Sequence, residues 1–111
     1  PAVVGVDILE GKMKVDTPLM KNDGRKITEI KSIQHEQENI NEAEKGKQVA
    51  VSLPKVTVGR QINEGDILYS AIPEEHFRKL REHKKYLSEG EKSIMKEIAE
   101  IMREKNPVWG I

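Results

Sequence analysis

Up to Ile72 the apolar residues of this chain come in short runs that alternate with polar ones; beyond Pro73 they recur every three to four residues. The first period is that of strands, the second that of helices. Ala2 to Leu9 is rich in β-branched residues and stops at Glu10-Gly11, which predicts a strand and a turn. Lys12 to Val15 alternates polar and apolar, and Asp16-Thr17-Pro18 breaks it. Leu19-Met20-Lys21 resumes before Asn22-Asp23-Gly24, a tight-turn signal because these residues tolerate positive φ. From Lys26 to Ile33 the pattern places Ile27 inside and, after a phase slip, Ile30 and Ile33, as at a bulge. Gln34 to Asn41 reads as a long polar loop. Glu42 to Lys45 reads as one helical turn ending at Gly46. Gln48 to Leu53 and Val56 to Ile62 read as strands, Asn63 to Asp66 as a turn, and Ile67 to Tyr69 as the closing strand. About six short strands predict a mainly β architecture, a small closed β-barrel over residues 1–72.

After Pro73 two C-terminal α-helices are expected, over residues 73–111, packed on or beside the barrel so that the whole makes one domain. Pro73 suits a first helical position, and Glu74 and Glu75 favour the positive helix end. Phe77, Leu80 and Leu87 form a narrow apolar stripe, with Lys84 in its gap. Ser88-Glu89-Gly90-Glu91 is a capping box. Ile94, Met95, Ile98, Ile101 and Met102 then mark one buried face, and Asn106-Pro107 ends it.

Charge changes this picture little: 19 basic and 19 acidic residues cancel, so no broad nucleic-acid-binding field is expected. Locally, Arg78, Lys79, Arg81, Lys84 and Lys85 stand against Glu82 alone, while Glu36, Glu38, Glu42 and Glu44 form an acidic stretch. The absence of cysteine removes disulfides, thiolate metal sites and cysteine nucleophiles. No apolar run approaches the roughly 18 residues that span a membrane, and nothing resembles a signal peptide. A soluble, cytoplasmic, monomeric protein is expected.

Catalytic signatures are missing. No glycine-rich run leads to Lys-Ser or Lys-Thr, so no phosphate cradle is present. His76 and His83 are two helical turns apart, too far to share a metal unaided. His35 lies among Gln34, Glu36 and Glu38, but no serine, threonine or basic partner completes a mechanism. Tyr69, Phe77, Tyr86 and Trp109 are the whole aromatic set, so the barrel before residue 69 lacks the stacking platforms of single-strand binders. RNA on such a barrel has to be held by hydrogen bonds and local charge, or by an apolar pocket for a group attached to it. Trp109 fits either a fold-back onto the helices or a partner-facing anchor.

Five blocks resemble, in order, the C-terminal domain (domain IV) of archaeal and eukaryotic translation initiation factor 5B. They are Pro1 to Gly11; Ser32-Ile33-Gln34 with Glu38-Asn39; Val58 to Ile62 with Glu64 to Tyr69; Ile72 to His76; and Ile98 to Ile101 leading to Asn106 to Gly110. Asp16 departs from the pattern, where glycine is expected, though aspartate also tolerates left-handed backbone. The resemblance implies a non-catalytic piece of a ribosome-dependent GTPase; GTP and magnesium belong to the parent factor's absent nucleotide-binding domain, and no cofactor is expected here. It implies a barrel that binds the acceptor end of initiator methionyl-tRNA and helices that receive the C-terminal tail of initiation factor 1A, with the ribosome reached through the parent.

Within these blocks the tRNA candidates are Gln34, His35, Glu36 and Asn39 from the polar loop and Arg60, Gln61 and Glu64 beside the last hairpin. For the tail, Leu80, Leu87, Ile98, Ile101 and Met102 are candidates to line a groove, flanked by Arg78, Lys79, Lys84, Lys85, Arg103 and Lys105, with Trp109 as an anchor. Two alternatives stay open: a protein-docking domain with negligible RNA affinity, and a small RNA-modifying enzyme using His35.

Overall fold

The structure, a computed structural model, describes residues 2–111. Among them nine strands precede the helices: β1 (Ala2–Asp7), β2 (Lys12–Lys14), β3 (Pro18–Met20), β4 (Lys26–Glu29), β5 (Ser32–His35), β6 (Glu38–Ile40), β7 (Glu42–Glu44), β8 (Gln48–Leu53) and β9 (Tyr69–Ser70). The mainly β class with a C-terminal helical pair is as expected, but the ring is not closed. The strands form three antiparallel sheets, ordered β1-β8-β5-β6, β2-β7 and β4-β3-β9. Their inward faces share one core, which includes Ile8, Leu19, Ile30, Ile33, Val51 and Leu53. In β1 and β8 burial alternates residue by residue, which turns Val4, Val6, Val49 and Val51 inward and Gly5, Asp7, Gln48 and Ala50 outward.

Three expectations for the β region fail for identifiable reasons. The polar stretch Gln34 to Asn41 is a hairpin, β5 to β6, turning through Glu36 and Gln37 at φ 51 and 68. Neither residue is a usual left-handed turn former, so the turn carried no signal. Glu42 to Lys45 is not a helical turn: Ala43 is buried opposite Met13 while Glu42 and Glu44 face solvent. Val56 to Ile62 is not a strand either. Gly59 sits at φ +94, and the segment spends its backbone hydrogen bonds on itself, Gly59 N–H to the Ile62 carbonyl at 2.7 Å and Arg60 N–H to that of Thr57 at 3.0 Å. Other readings hold. Asp16 takes the left-handed backbone, φ 71, that its glycine-like place demands. The Asn22 to Gly24 turn joins β3 to β4. The Asp23 carboxylate accepts from the Arg25 N–H at 2.9 Å, a bond that holds it below the usual carboxylate range. The phase slip is a bulge, in which Ile27 is skipped between the pairs Leu19–Thr28 and Met20–Lys26.

Helix α1 (Glu74–Glu82) starts after Pro73, which is its cap rather than its first helical residue. The helix ends earlier than the apolar stripe suggests; Lys84–Tyr86 form a short 3-10 turn, and Leu87 lies in extended backbone. The capping box then opens α2 (Glu89–Arg103), with Ser88 Oγ accepting from Glu91 N–H at 3.1 Å and Glu91 accepting from Ser88 N–H at 3.0 Å. A second core of Met20, Ala71, Phe77, Ile98, Ala99 and Trp109 joins the helices to the β region. Strand β3 serves both cores, with Leu19 in the first and Met20 in the second.

Three contacts along α2 fix its place. At its start a Cβ on Gly90 would run into the Glu10 carboxylate, which also pairs with Lys45 at 2.7 Å. Near its middle the Tyr69 hydroxyl donates to Glu97 at 3.2 Å. Towards its end Ile101 and Met102 lie against Gly24 of the β3–β4 turn. Burial, followed by the hydrogen bond and charge of Glu97, raises the Tyr69 phenol above its ordinary value near 10. A raised folded-state value favours the protonated phenol, so this contribution is complete below about pH 10 and is lost as pH climbs through the folded value. Tyr69→Phe is expected to cost about 0.5–1.5 kcal/mol at neutral pH. Above pH 10 the gap to the parent chain should shrink. Denaturant unfolding across pH 7–11 checks both; a gap that stays constant contradicts the assignment.

Candidate functional site

The failure of Val56 to Ile62 to form a strand leaves β1 as an edge strand, with a cleft beside it instead of a partner. This cleft, about 350 Å³, is lined by Val4, Val6, Val58, Ile62 and Leu68, with Asn63, Glu64 and Asp66 among its polar residues. Val58 is 50% exposed at the rim of this cleft. On the outward face of the same strand, Gly5 and Asp7 join Gln34, Glu36, Gln37, Gln48 and Ala50 around a second, more polar depression of about 520 Å³, whose lining also includes Val6 and Val49. Gly5 and Val6 belong to both, so one strand separates an apolar hollow from a polar one.

The tRNA candidates divide between these hollows. Gln34 and Glu36 line the polar depression, and Glu64 the apolar cleft. Asn39 pairs with Gln34 across the hairpin, accepting from its amide at 3.2 Å. His35 is half-buried on the same side of β5 as buried Ile33, opposite to Gln34. Arg60 is exposed. Gln61 is committed to the local turn: its side-chain oxygen accepts from Thr57 N–H at 2.9 Å and its carbonyl from Lys21 Nζ at 3.0 Å. Asp7, Gln37, Gln48 and the cleft valines were missed. Alternation marks Val4 and Val6 as inward-facing, but their access to solvent depends on a neighbouring strand that does not form.

Between α1 and α2 lies a groove of about 500 Å³ with Phe77, Met95 and Ala99 at its base. Its remaining lining is Arg81, Lys84, Lys92, Lys96 and Arg103, opposed by Glu100. This is an apolar trough between cations, as expected for a docking groove, yet most of the residues differ from the candidates. Ile98 and Trp109 are buried in the second core, and neither lines the groove. Ile101 and Met102 face the β3–β4 turn. Leu80 and Leu87 are half-buried, and neither lines the groove. Arg78 is engaged by Glu74 at 3.1 Å, and Lys79 lies 4.0 Å from Glu75. Lys105 is exposed near Asp23. Lys84 and Arg103 are in place, and Lys85 lies at the corner beyond. Lys92 and Lys96 were missed, though their spacing of four puts them on one helix face and could have revealed them.

The tail closes one end of this groove. Trp109 stacks on Phe77 with ring centroids 4.8 Å apart, tilted by 53°. Gly110 N–H donates to Glu74 at 2.7 Å, Arg103 Nε to the Trp109 carbonyl at 2.7 Å, Arg78 Nε to the Ile111 carbonyl at 3.1 Å, and Arg81 to the Gly110 carbonyl. Gly110 adopts φ +75, and a Cβ there would stand 2.8 Å from the Phe77 ring.

Residues 1–69 match the family described as Elongation factor Tu domain 4. The chain belongs to this family, a class of β domains found in translational GTPases. It is 48% identical over 112 residues to a protein of Methanopyrus kandleri named "Probable translation initiation factor IF-2", and 44% identical over 113 residues to one of the same name from Ignicoccus hospitalis. In each case all of this chain is covered and 19% of the relative, so the chain spans about a fifth of those proteins. A solved structure, GDP-bound aIF5B from Aeropyrum pernix, superposes with a TM-score of 0.89 at 40% identity, covering 94% of this chain and 18% of that one. These matches place the chain as the C-terminal domain IV of the archaeal IF-2/5B type. No helix is long and apolar enough to cross a membrane.

Gly110→Ala is expected to destabilise the chain by about 1–3 kcal/mol through left-handed strain and the clash with Phe77. Thermal unfolding with tryptophan fluorescence reads the loss and the displacement of Trp109 together.

Proposed function

We propose that the β region holds the methionylated acceptor end of initiator tRNA and that the α1–α2 groove receives the acidic C-terminal tail of initiation factor 1A, the ribosome being reached through the parent factor. The observation that carries the tRNA half is the cleft beside β1. Its walls are mainly aliphatic, and at about 350 Å³ it falls at the lower end of small-ligand pockets, with room for an unbranched side chain and part of what carries it. The polar depression across β1 offers the amides of Gln34, Gln37 and Gln48 and the carboxylates of Asp7 and Glu36, groups that can hydrogen-bond a nucleoside without a stacking platform. Arg60, exposed on the same segment as Val58, is a nearby cation for phosphate.

The groove supports the second half. Its cations suit an acidic peptide, and half-buried Met95, over a floor of buried Phe77 and Ala99, suits an apolar anchor of that peptide. The groove alone also supports a narrower reading, a protein-docking domain with negligible RNA affinity.

An amide-shift titration separates the two. With an aminoacylated mimic of the acceptor end, shifts are expected at Val4, Val6, Val58 and Leu68, and Val58→Glu should weaken binding at least about tenfold by placing a charge in the cleft. No shift in residues 2–70, with strong shifts from an acidic peptide at residues 74–103, would leave docking as the whole function. Lys84→Glu with Lys96→Glu should weaken the peptide more in low salt than in high, since exposed charge attraction is screened.

A further inference from the structure

The basic run before the α1–α2 corner divides into two parts. Arg78 is held by Glu74 and the Ile111 carbonyl, Lys79 lies beside Glu75, and Arg81 donates to the Gly110 carbonyl. Lys84 and Lys85 form no ion pair among the described residues. Beside them stands Tyr86, 75% exposed, with Lys85 Nζ 5.1 Å from its ring centroid and the His83 ring at 6.4 Å. Phe77 and Trp109 are buried and Tyr69 is half-buried, so among the Tyr, Phe and Trp rings of the described residues Tyr86 is the one turned to solvent, with Lys85 over one of its faces and the other face open. The backbone holds them on a short turn, with Tyr86 N–H on the His83 carbonyl and Leu87 N–H on that of Lys84, both at 3.0 Å. Tyr86 belongs to neither core, so packing gives no account of it.

We propose that this corner contacts unpaired RNA, one base stacking on Tyr86 while flanking phosphates lie on Lys84 and Lys85. An exposed ring flanked by cations is the combination that single strands require, a planar face for any base and charge for the backbone. An acidic peptide uses the lysines but gains nothing from the planar face. An anionic bilayer favours a broader basic surface with aliphatic bulk than two lysines and one ring supply. The corner shares no residue with the cleft beside β1, so its contact with RNA does not depend on the acceptor-end reading.

The test uses the 111-residue chain with unstructured oligouridylate and oligoadenylate that carry no aminoacyl group. Proton spectra should show the Tyr86 ring signals moving upfield as a base stacks on them. Tyr86→Ala, at an exposed position that leaves both cores intact, should weaken binding roughly tenfold, while Tyr86→Phe stays within about twofold. Lys85→Ser should flatten the slope of log K against log salt by about 0.7. Val58→Glu, which blocks the cleft, should leave this binding unchanged, so its failure is distinct from that of the acceptor-end reading. Equal affinity of the parent and Tyr86→Ala, or shifts confined to the cleft, would overturn the proposal. So would an equal upfield movement of the Tyr86 ring signals with oligoglutamate or with phosphatidylglycerol vesicles, which would make the corner a general anion contact.

Discussion

Strand β3 holds this molecule together because a strand turns successive side chains to opposite faces. Leu19 enters the core of the β region, and its neighbour Met20, 1% exposed, enters the core beneath the helices. The same strand pairs on one side with β4 and on the other with β9, whose Tyr69 lies opposite Met20. The Ala71 N–H donates to the Pro18 carbonyl at 2.8 Å, so the ladder delivers the chain to Pro73 already docked against the second core. Complete burial of a side chain such as Met20 is worth about 1.5–3 kcal/mol. That is a large share of what a helical pair this short can gather alone.

The surfaces available for binding follow from that docking. With Ile98 buried and Ile101 and Met102 set against the β3–β4 turn, the side of α2 carrying Lys92, Met95 and Lys96 is left to face α1. The tail then spends Arg78, Arg81 and Arg103 on backbone carbonyls, which keeps guanidinium charge at one end of the groove in fixed positions. On the β region the decisive element is one that does not form. Were Val56 to Ile62 a strand along β1, the ring would be nearer to closure and Val4 and Val6 would lie under backbone instead of lining an open cleft.

Much of the fold was legible because its causes are local. The capping box at Ser88, the turn at Asn22 to Gly24 and the bulge near Ile27 each depend on a few adjacent residues. The hairpin through Glu36 and Gln37 was illegible because those residues rarely take positive φ, and strand pairing alone holds them there. Ala43 in β7 was hidden for a similar reason: its burial is set by Met13 across the sheet, while Glu-Ala-Glu-Lys has local helical preference. The helical groove was legible in kind but not in residues. Periodicity reports that α2 has an apolar face, and only the tertiary packing decides that Ile98 is buried in the core and Met102 lies against the β3–β4 turn while Met95 borders the groove.

Native-state hydrogen exchange on Met20→Ala measures most directly whether β3 couples the two cores. The substitution should cost about 2–5 kcal/mol. Amides of β8, such as Val49 and Val51, and those of α2, such as Ile98, should lose the same amount of protection, because both open in one cooperative event. Loss confined to α2, with β8 as protected as in the parent chain, would contradict the coupling and make the helices a separately melting attachment.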